Sequence, residues 1–221
     1  MDEIKNYFEK GVLFETFLSK INLIIWRKIL DEAVFLNTQT KETKQLYSYI
    51  QQSATVNFIL HATKLFDKPN HRHPTRCISS FLKLVKDKAA LFPNIVETTT
   101  TIKLLNEFNA PEELINSVNS ENPTLFPLSF YNYYKTKYDS TDIQNKINNL
   151  KETRDKKIAH NEFLKEPTDL NPKSLEDLLD FAIEIISIFR HAYYNGSIVR
   201  INNDAERSAF FITDNINRLK K

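Results

Sequence analysis

The sequence predicts an all-α protein built from long antiparallel helices with polar connections and an inserted run of short helices. Two observations carry this reading. Apolar residues recur at three- and four-residue steps over long stretches, the spacing that places them on one face of a helix. Glycine occurs twice in 221 residues, at Gly11 and Gly196, where ordinary usage would supply roughly fifteen. Folds rich in tight turns, phosphate loops and dinucleotide fingerprints all need positions that accept positive φ, and this chain has almost none. A chain this long buries roughly 70% of its unfolded surface, so a substantial core is available.

The first helix carries Val12, Leu13, Phe17, Leu18, Ile21, Ile24, Ile25, Ile29 and Leu30. The second runs from Lys41 to Phe66 with Leu46, Ile50, Val56, Ile59 and Leu60. Polar residues from Asn37 to Thr40 separate them, the short connection of an αα-hairpin. Pro69, Asn70 and Pro74 mark a loop, and Thr75 is expected to cap a shorter helix carrying Ile78, Leu82 and Val85. Between Lys88 and Tyr138, four prolines (Pro93, Pro111, Pro123 and Pro127) cut the chain into pieces too short for one helix. Residues 88–138 therefore read as an insertion of short helices within a single domain spanning residues 1–221. Asp139, Ser140 and Thr141 offer cap chemistry to an unbroken helix through Ile143, Ile147, Leu150 and Ile158. Ser174 and Asp177 have the spacing of a capping box before a long helix from Leu175 to Tyr194, apolar over most of its circumference and so expected to be central. Asn195 and Gly196 end it, Ser197 to Ile201 reads as a short extended segment, and Asp204 to Lys220 as a final amphipathic helix.

With 30 Lys+Arg against 28 Asp+Glu, the global charge favours neither nucleic acid nor an acidic partner. One cysteine, Cys77, and a charged rather than apolar beginning from Met1 to Lys10 point to the reducing cytoplasm. The most apolar windows are too short for a bilayer crossing, so no membrane partner is expected.

Chemistry concentrates around Arg154. On a wheel of 100° per residue it falls within about 40° of Ile147 and Leu150, which sets a guanidinium in an apolar stripe and calls for a partner: a carboxylate, a subunit interface or a ligand phosphate. Further along Arg154-Asp155-Lys156-Lys157-Ile158-Ala159-His160-Asn161 stands a histidine, about 120° round and about 9 Å along if the helix is unbroken. His71 and His73, with His61, Asp67 and Cys77 nearby in sequence, lack the paired spacing of a structural zinc site, so no metal is expected. Phe130, Tyr134 and Tyr138 form a core stripe, which leaves Tyr133 as the aromatic most available to stack on a base. His191 near the end of its helix suits the helix dipole without any catalytic role.

The segment from Arg154-Asp155 to Ile158-Ala159-His160-Asn161 resembles the arginine–polar–spacer–histidine motif of the HEPN superfamily. Leu65-Phe66-Asp67-Lys68, a loop, and Thr75-Arg76-Cys77-Ile78-Ser79-Ser80-Phe81-Leu82 are similar to the signature of its abortive-infection U branch. The resemblance covers roughly Lys41 to Val85 and Thr141 to His191. It implies a helical domain that pairs with a second copy so that both motifs face one cleft, and that in active relatives cuts RNA without metal or cofactor. Arg154 would then stabilise the scissile phosphate and His160 move protons, with Asp155 orienting one of them and Lys156, Lys157 and Asn161 holding the RNA. The same resemblance leaves open a catalytically inactive module that binds RNA, a nucleotide or a partner protein, and a protein antitoxin as partner. Asp67 is a signature residue with a structural or site-supporting role. In the toxin branch that pairs with minimal nucleotidyltransferases a tyrosine stands two positions after the histidine; Glu162 occupies that place here, so regulation by modification of such a tyrosine is not implied.

Overall fold

A computed structural model describes residues 1–69, 75–159, 172–194 and 201–220. Its elements are α1 (Asp2–Tyr7), a π-helical segment (Phe8–Leu13), α2 (Phe14–Asp31), α3 (Ala33–Leu36), α4 (Lys41–Leu65), α5 (Ile78–Asp87), a short 3₁₀ turn (Ala89–Leu91), α6 (Thr98–Glu107), α7 (Glu112–Ser117), α8 (Leu125–Tyr138), α9 (Thr141–Thr153), a second π-helical segment (Arg154–Ala159), α10 (Pro172–Tyr193) and α11 (Ile201–Leu219). No strand occurs among the described residues. The first helical stretch begins at Asp2, earlier than its apolar periodicity indicated, because the charged residues before Gly11 bury only Ile4 and Phe8.

Helices α2 and α4 form the expected antiparallel pair. Glu15, in the first turn of α2, meets His61 and Lys64 near the end of α4, while Ile29, near the end of α2, packs with Tyr47 in the first third of α4. Thr40 caps α4 by accepting from the Thr43 amide at 3.3 Å. Helix α11 lies along α2 and is tied there by Lys220, whose Nζ is 2.6 Å from Glu32 Oε2. Helix α10 is central as expected: Leu178, Leu179, Ala182, Ile185, Ile186, Ile188, Phe189 and Ala192 are all essentially inaccessible. Around Phe189 gathers an aromatic cluster in which Phe81 sits edge-on at 4.7 Å between ring centroids and Phe8 at 5.2 Å.

Residues 88–138 form short helices, and Phe92, Leu105, Leu114, Phe126, Phe130, Tyr134 and Tyr138 from that stretch enter the same core as α4, α5 and α10. Helix α6 ends in a left-handed Asn109 (φ 55°), with the Ala110 amide donating back to the Leu105 carbonyl at 2.9 Å. This is the double-bonded terminus that asparagine tolerates better than other non-glycine residues.

Three local expectations are corrected. Thr75 does not cap α5; Cys77 holds that position with extended backbone and no side-chain cap bond, because the Thr75 hydroxyl donates instead to the Lys68 carbonyl at 3.3 Å across the loop. Ser174 and Asp177 make no capping box, since α10 already starts at Pro172, proline being suited to a first helical turn; Asp177 pairs with Lys146 and Lys173 instead. Ile201 begins α11 rather than ending an extended segment, and Asn195, Gly196 and residues 197–200 lie outside the described residues. Ser140, by contrast, caps α9 as expected, accepting from the Ile143 amide at 3.4 Å.

Candidate functional site

The site is built where α9 gives way to the π-helical segment. Ile143, Ile147, Leu150 and Thr153 form the buried stripe of α9, and the Thr153 hydroxyl bonds back to the Asn149 carbonyl at 2.8 Å, a contact that bends helices. One residue later the bonding turns to the wider i→i+5 pattern, a rare arrangement that recurs at functional sites. The expectation of an unbroken α-helix through Ile158 is thereby corrected, and with it the 100° wheel: position 160 no longer follows from Arg154 by six α-helical steps. His160 and Asn161 lie outside the described residues, as does the side chain of Lys157.

Arg154 flanks the buried stripe, its side chain 31% exposed. Its partner is the adjacent Asp155: Nε lies 2.7 Å and Nη2 2.6 Å from the same carboxylate oxygen. A guanidinium has five N–H donors, so this contact occupies one edge and leaves the Nη1 side for another oxyanion. Lys156 pairs with Glu152 one turn back on an exposed face.

Across from this segment stands the end of α4. Burial, with Lys68 and Arg154 reinforcing it, pulls the Lys151 ammonium below the usual lysine range, while Asp67 and Cys77 oppose the shift. Asp67 and Lys68 therefore act on the same lysine as Arg154 does. Lys151 is a further candidate that the sequence reading missed. Its position three residues before Arg154, on the same helical face, was the available signal.

On another side of the α4 terminus is a cavity of about 300 Å³ lined by Lys10, Gly11, Glu15, Lys64, Asp67, Thr75 and Arg76. Gly11 is buried against the backbone of Arg76, whose carbonyl oxygen would lie 2.8 Å from a Cβ at position 11. Glu15 is held at 2.6 Å by His61 Nδ1 and at 3.5 Å by Lys64. Cys77 is fully buried among the hydroxyls of Thr75, Ser79 and Ser80, so it reads as core rather than as a ligand. Tyr133 is half-buried, edge-on to Tyr134 at 4.9 Å and lining a separate cavity of about 240 Å³ with Pro111, Leu114 and Asn132; Arg154 and Lys156 do not line it. His191 is buried against Glu97, Nδ1 to Oε2 3.1 Å. His71 and His73 lie outside the described residues.

The sequence profile of the HEPN family AbiU2 matches residues 1–206. The chain belongs to the AbiU2 family of HEPN proteins. The bounds of the match enclose both motif-bearing stretches and also residues 88–138 of this AbiU2 protein, which the resemblance in sequence had left out. No curated protein and no solved structure matches it. No helix among the described residues is long and apolar enough to cross a membrane.

Proposed function

We propose that this AbiU2 protein is a metal-independent endoribonuclease that cuts RNA with Arg154 and His160 at a cleft between two identical subunits, in antiphage defence or a toxin–antitoxin system. The observation that carries the proposal is the placement of Arg154: partly exposed on a π-helical turn and braced along one edge by Asp155, with Lys151, Lys68 and Asp67 in the same electrostatic neighbourhood. A guanidinium held in that way stabilises the charge that grows on a phosphoryl oxygen during displacement. In the reaction the ribose 2′-oxygen bonds to phosphorus as the P–O5′ bond breaks, leaving a 2′,3′-cyclic phosphate and a 5′-hydroxyl. The 2′-hydroxyl gives up its proton and the 5′-oxygen gains one, and an imidazole with a reference pKa near ~6.5 serves either transfer at neutral pH. Lys156, Lys157 and Asn161, adjacent to Arg154 and His160 in sequence, are the residues proposed to hold the RNA backbone. Tyr133 is the aromatic proposed to stack on a base.

The Arg154–Asp155 pair also supports the second reading, a catalytically silent module that binds RNA, a nucleotide or a partner protein, because a carboxylate already occupies part of the arginine. Incubating RNA with the protein in EDTA separates the two. Wild-type cleavage, reduced by roughly two to four orders of magnitude in His160→Ala and in Arg154→Ala, is the expected result; no cleavage by the wild type, or cleavage indifferent to His160→Ala, selects the silent module.

A further inference from the structure

The cavity at the end of α4 holds a charge pattern that neither Arg154 nor the core explains. Of its three cations, Lys64 is engaged by Glu15, and Glu15 is itself held by His61. Lys10 and Arg76, both exposed, take no carboxylate partner among the described residues. Beside them Asp67 has one oxygen receiving the Lys68 amide at 3.3 Å and forms no ion pair among the described residues. Two cations and a carboxylate thus share the wall of one opening of about 300 Å³, at the lower end of the range for small-ligand sites.

We propose that this cavity is a ribose-phosphate subsite of the RNA path, in which Arg76 and Lys10 hold one phosphate and Asp67 accepts a hydrogen bond from the adjoining ribose 2′-hydroxyl. The proposal rests on the reading of RNA as the ligand given above. A site for phosphate alone has no use for a carboxylate on its wall, which repels the anion; a sugar hydroxyl does, and the 2′-hydroxyl is the group by which a protein distinguishes RNA from DNA. Asp67 lines the cavity and also influences Lys151, three residues before Arg154, so the subsite adjoins the Arg154 neighbourhood at the end of α4. Gly11 keeps the subsite open, because the Arg76 backbone approaches so closely that no other residue fits without displacing it.

The test uses the full chain carrying His160→Ala, so that RNA remains intact, and reads fluorescence anisotropy of a labelled ribo-oligonucleotide and of the matching deoxyribo-oligonucleotide over a range of salt. Arg76→Gln, which retains the Cβ packed on Gly11, is expected to weaken RNA binding about tenfold at low salt and to lower the salt slope by about one, with Lys10→Gln acting in the same direction. Asp67→Ala is expected to bring the RNA-to-DNA affinity ratio close to one without loss of DNA binding. Equal melting temperatures establish that the variants are folded. Unchanged RNA affinity and salt slope in Arg76→Gln and Lys10→Gln, or an unchanged RNA-to-DNA ratio in Asp67→Ala, overturns the subsite. Cleavage by the chain with His160 intact is scored separately. A nuclease whose binding ignores Arg76 loses the subsite alone, and an inactive protein whose RNA binding still depends on Arg76 and Asp67 loses the nuclease reading alone.

Discussion

Gly11 and Arg76 are in backbone contact: a Cβ placed on Gly11 would come 2.4 Å from the Arg76 Cβ and 2.8 Å from its carbonyl oxygen. Inside a helix, replacing glycine by alanine ordinarily gains up to about 1 kcal/mol. Here the atoms in the way are main chain and a first side-chain carbon, which cannot swing aside, and inserting a methyl group into such a contact costs roughly 1–3 kcal/mol. The clash outweighs the propensity. Gly11→Ala is expected to lower the melting temperature, whereas a rise would mean that the start of α5 yields to the added methyl.

A second prediction concerns the carboxylate buried between α8 and α10. Glu184, 6% exposed, accepts from the Tyr134 hydroxyl at 2.9 Å and from Lys137 Nζ at 2.6 Å. Breaking a fully buried pair from one side costs about 3–5 kcal/mol; Lys137 is 35% exposed, and water reaching its end of the pair reduces that figure to roughly 2 kcal/mol for Lys137→Met. Adding Glu184→Gln removes the stranded charge while keeping an acceptor for Tyr134, so the double variant is expected to recover part of the loss. Urea unfolding of the two single variants and the double variant measures this, and strict additivity would show that the pair is not coupled.

Alkaline stability follows from the buried phenols. Burial first, then Cys77, Asp139 and Asp67, pushes Tyr138 up to about 12, against the Ser79 hydrogen bond, which lowers it. Burial and Glu9 push Tyr194 to about 12. Unfolded phenols release their protons near about 10, so between about 10 and about 12 the native state holds protons that the unfolded state has lost. Stability is then full below the lower value and falls as pH rises through the window. The midpoint of urea unfolding is expected to drop across that window, with Tyr138→Phe dropping less. Midpoints that hold steady there would contradict it.

These phenols also show what the sequence could and could not disclose. The stripe of Phe130, Tyr134 and Tyr138 was legible because four-residue spacing on one helix sets a face without reference to anything else. The α2–α4 hairpin and the Ser140 cap were legible for the same reason, each depending on local spacing or a single hydroxyl. Thr75 misled because its hydroxyl answers to Lys68 across a loop, a tertiary preference that cap statistics do not contain. The π-helical turn at Arg154 leaves no mark on apolar periodicity, so a wheel drawn at constant angle runs straight through it. Lys151 and the Lys10–Asp67–Arg76 grouping depend on which segments meet at the end of α4, and only the fold brings those together. Gly11 carried a faint signal, a lone glycine inside an apolar helical run, but its cause is the backbone of Arg76.

Asp155 holds Arg154 from one side. Both of its contacts with the guanidinium reach one carboxylate oxygen, from Nε and Nη2, and its side chain is 52% exposed, so the pair itself adds little stability. Its effect is geometric: it fixes the plane of the guanidinium and leaves the Nη1 edge directed away from the carboxylate. If that orientation serves the reaction, Asp155→Ala lowers the rate of RNA cleavage about tenfold, equivalent to about 1.4 kcal/mol of transition-state stabilisation, with little change in melting temperature. Asp155→Asn keeps an acceptor for Nε and is expected to fall between that variant and wild type. The opposite result is equally informative: faster cleavage in Asp155→Ala would identify the carboxylate as a competitor that the phosphate must displace, so that Asp155 restrains the site rather than aligning it.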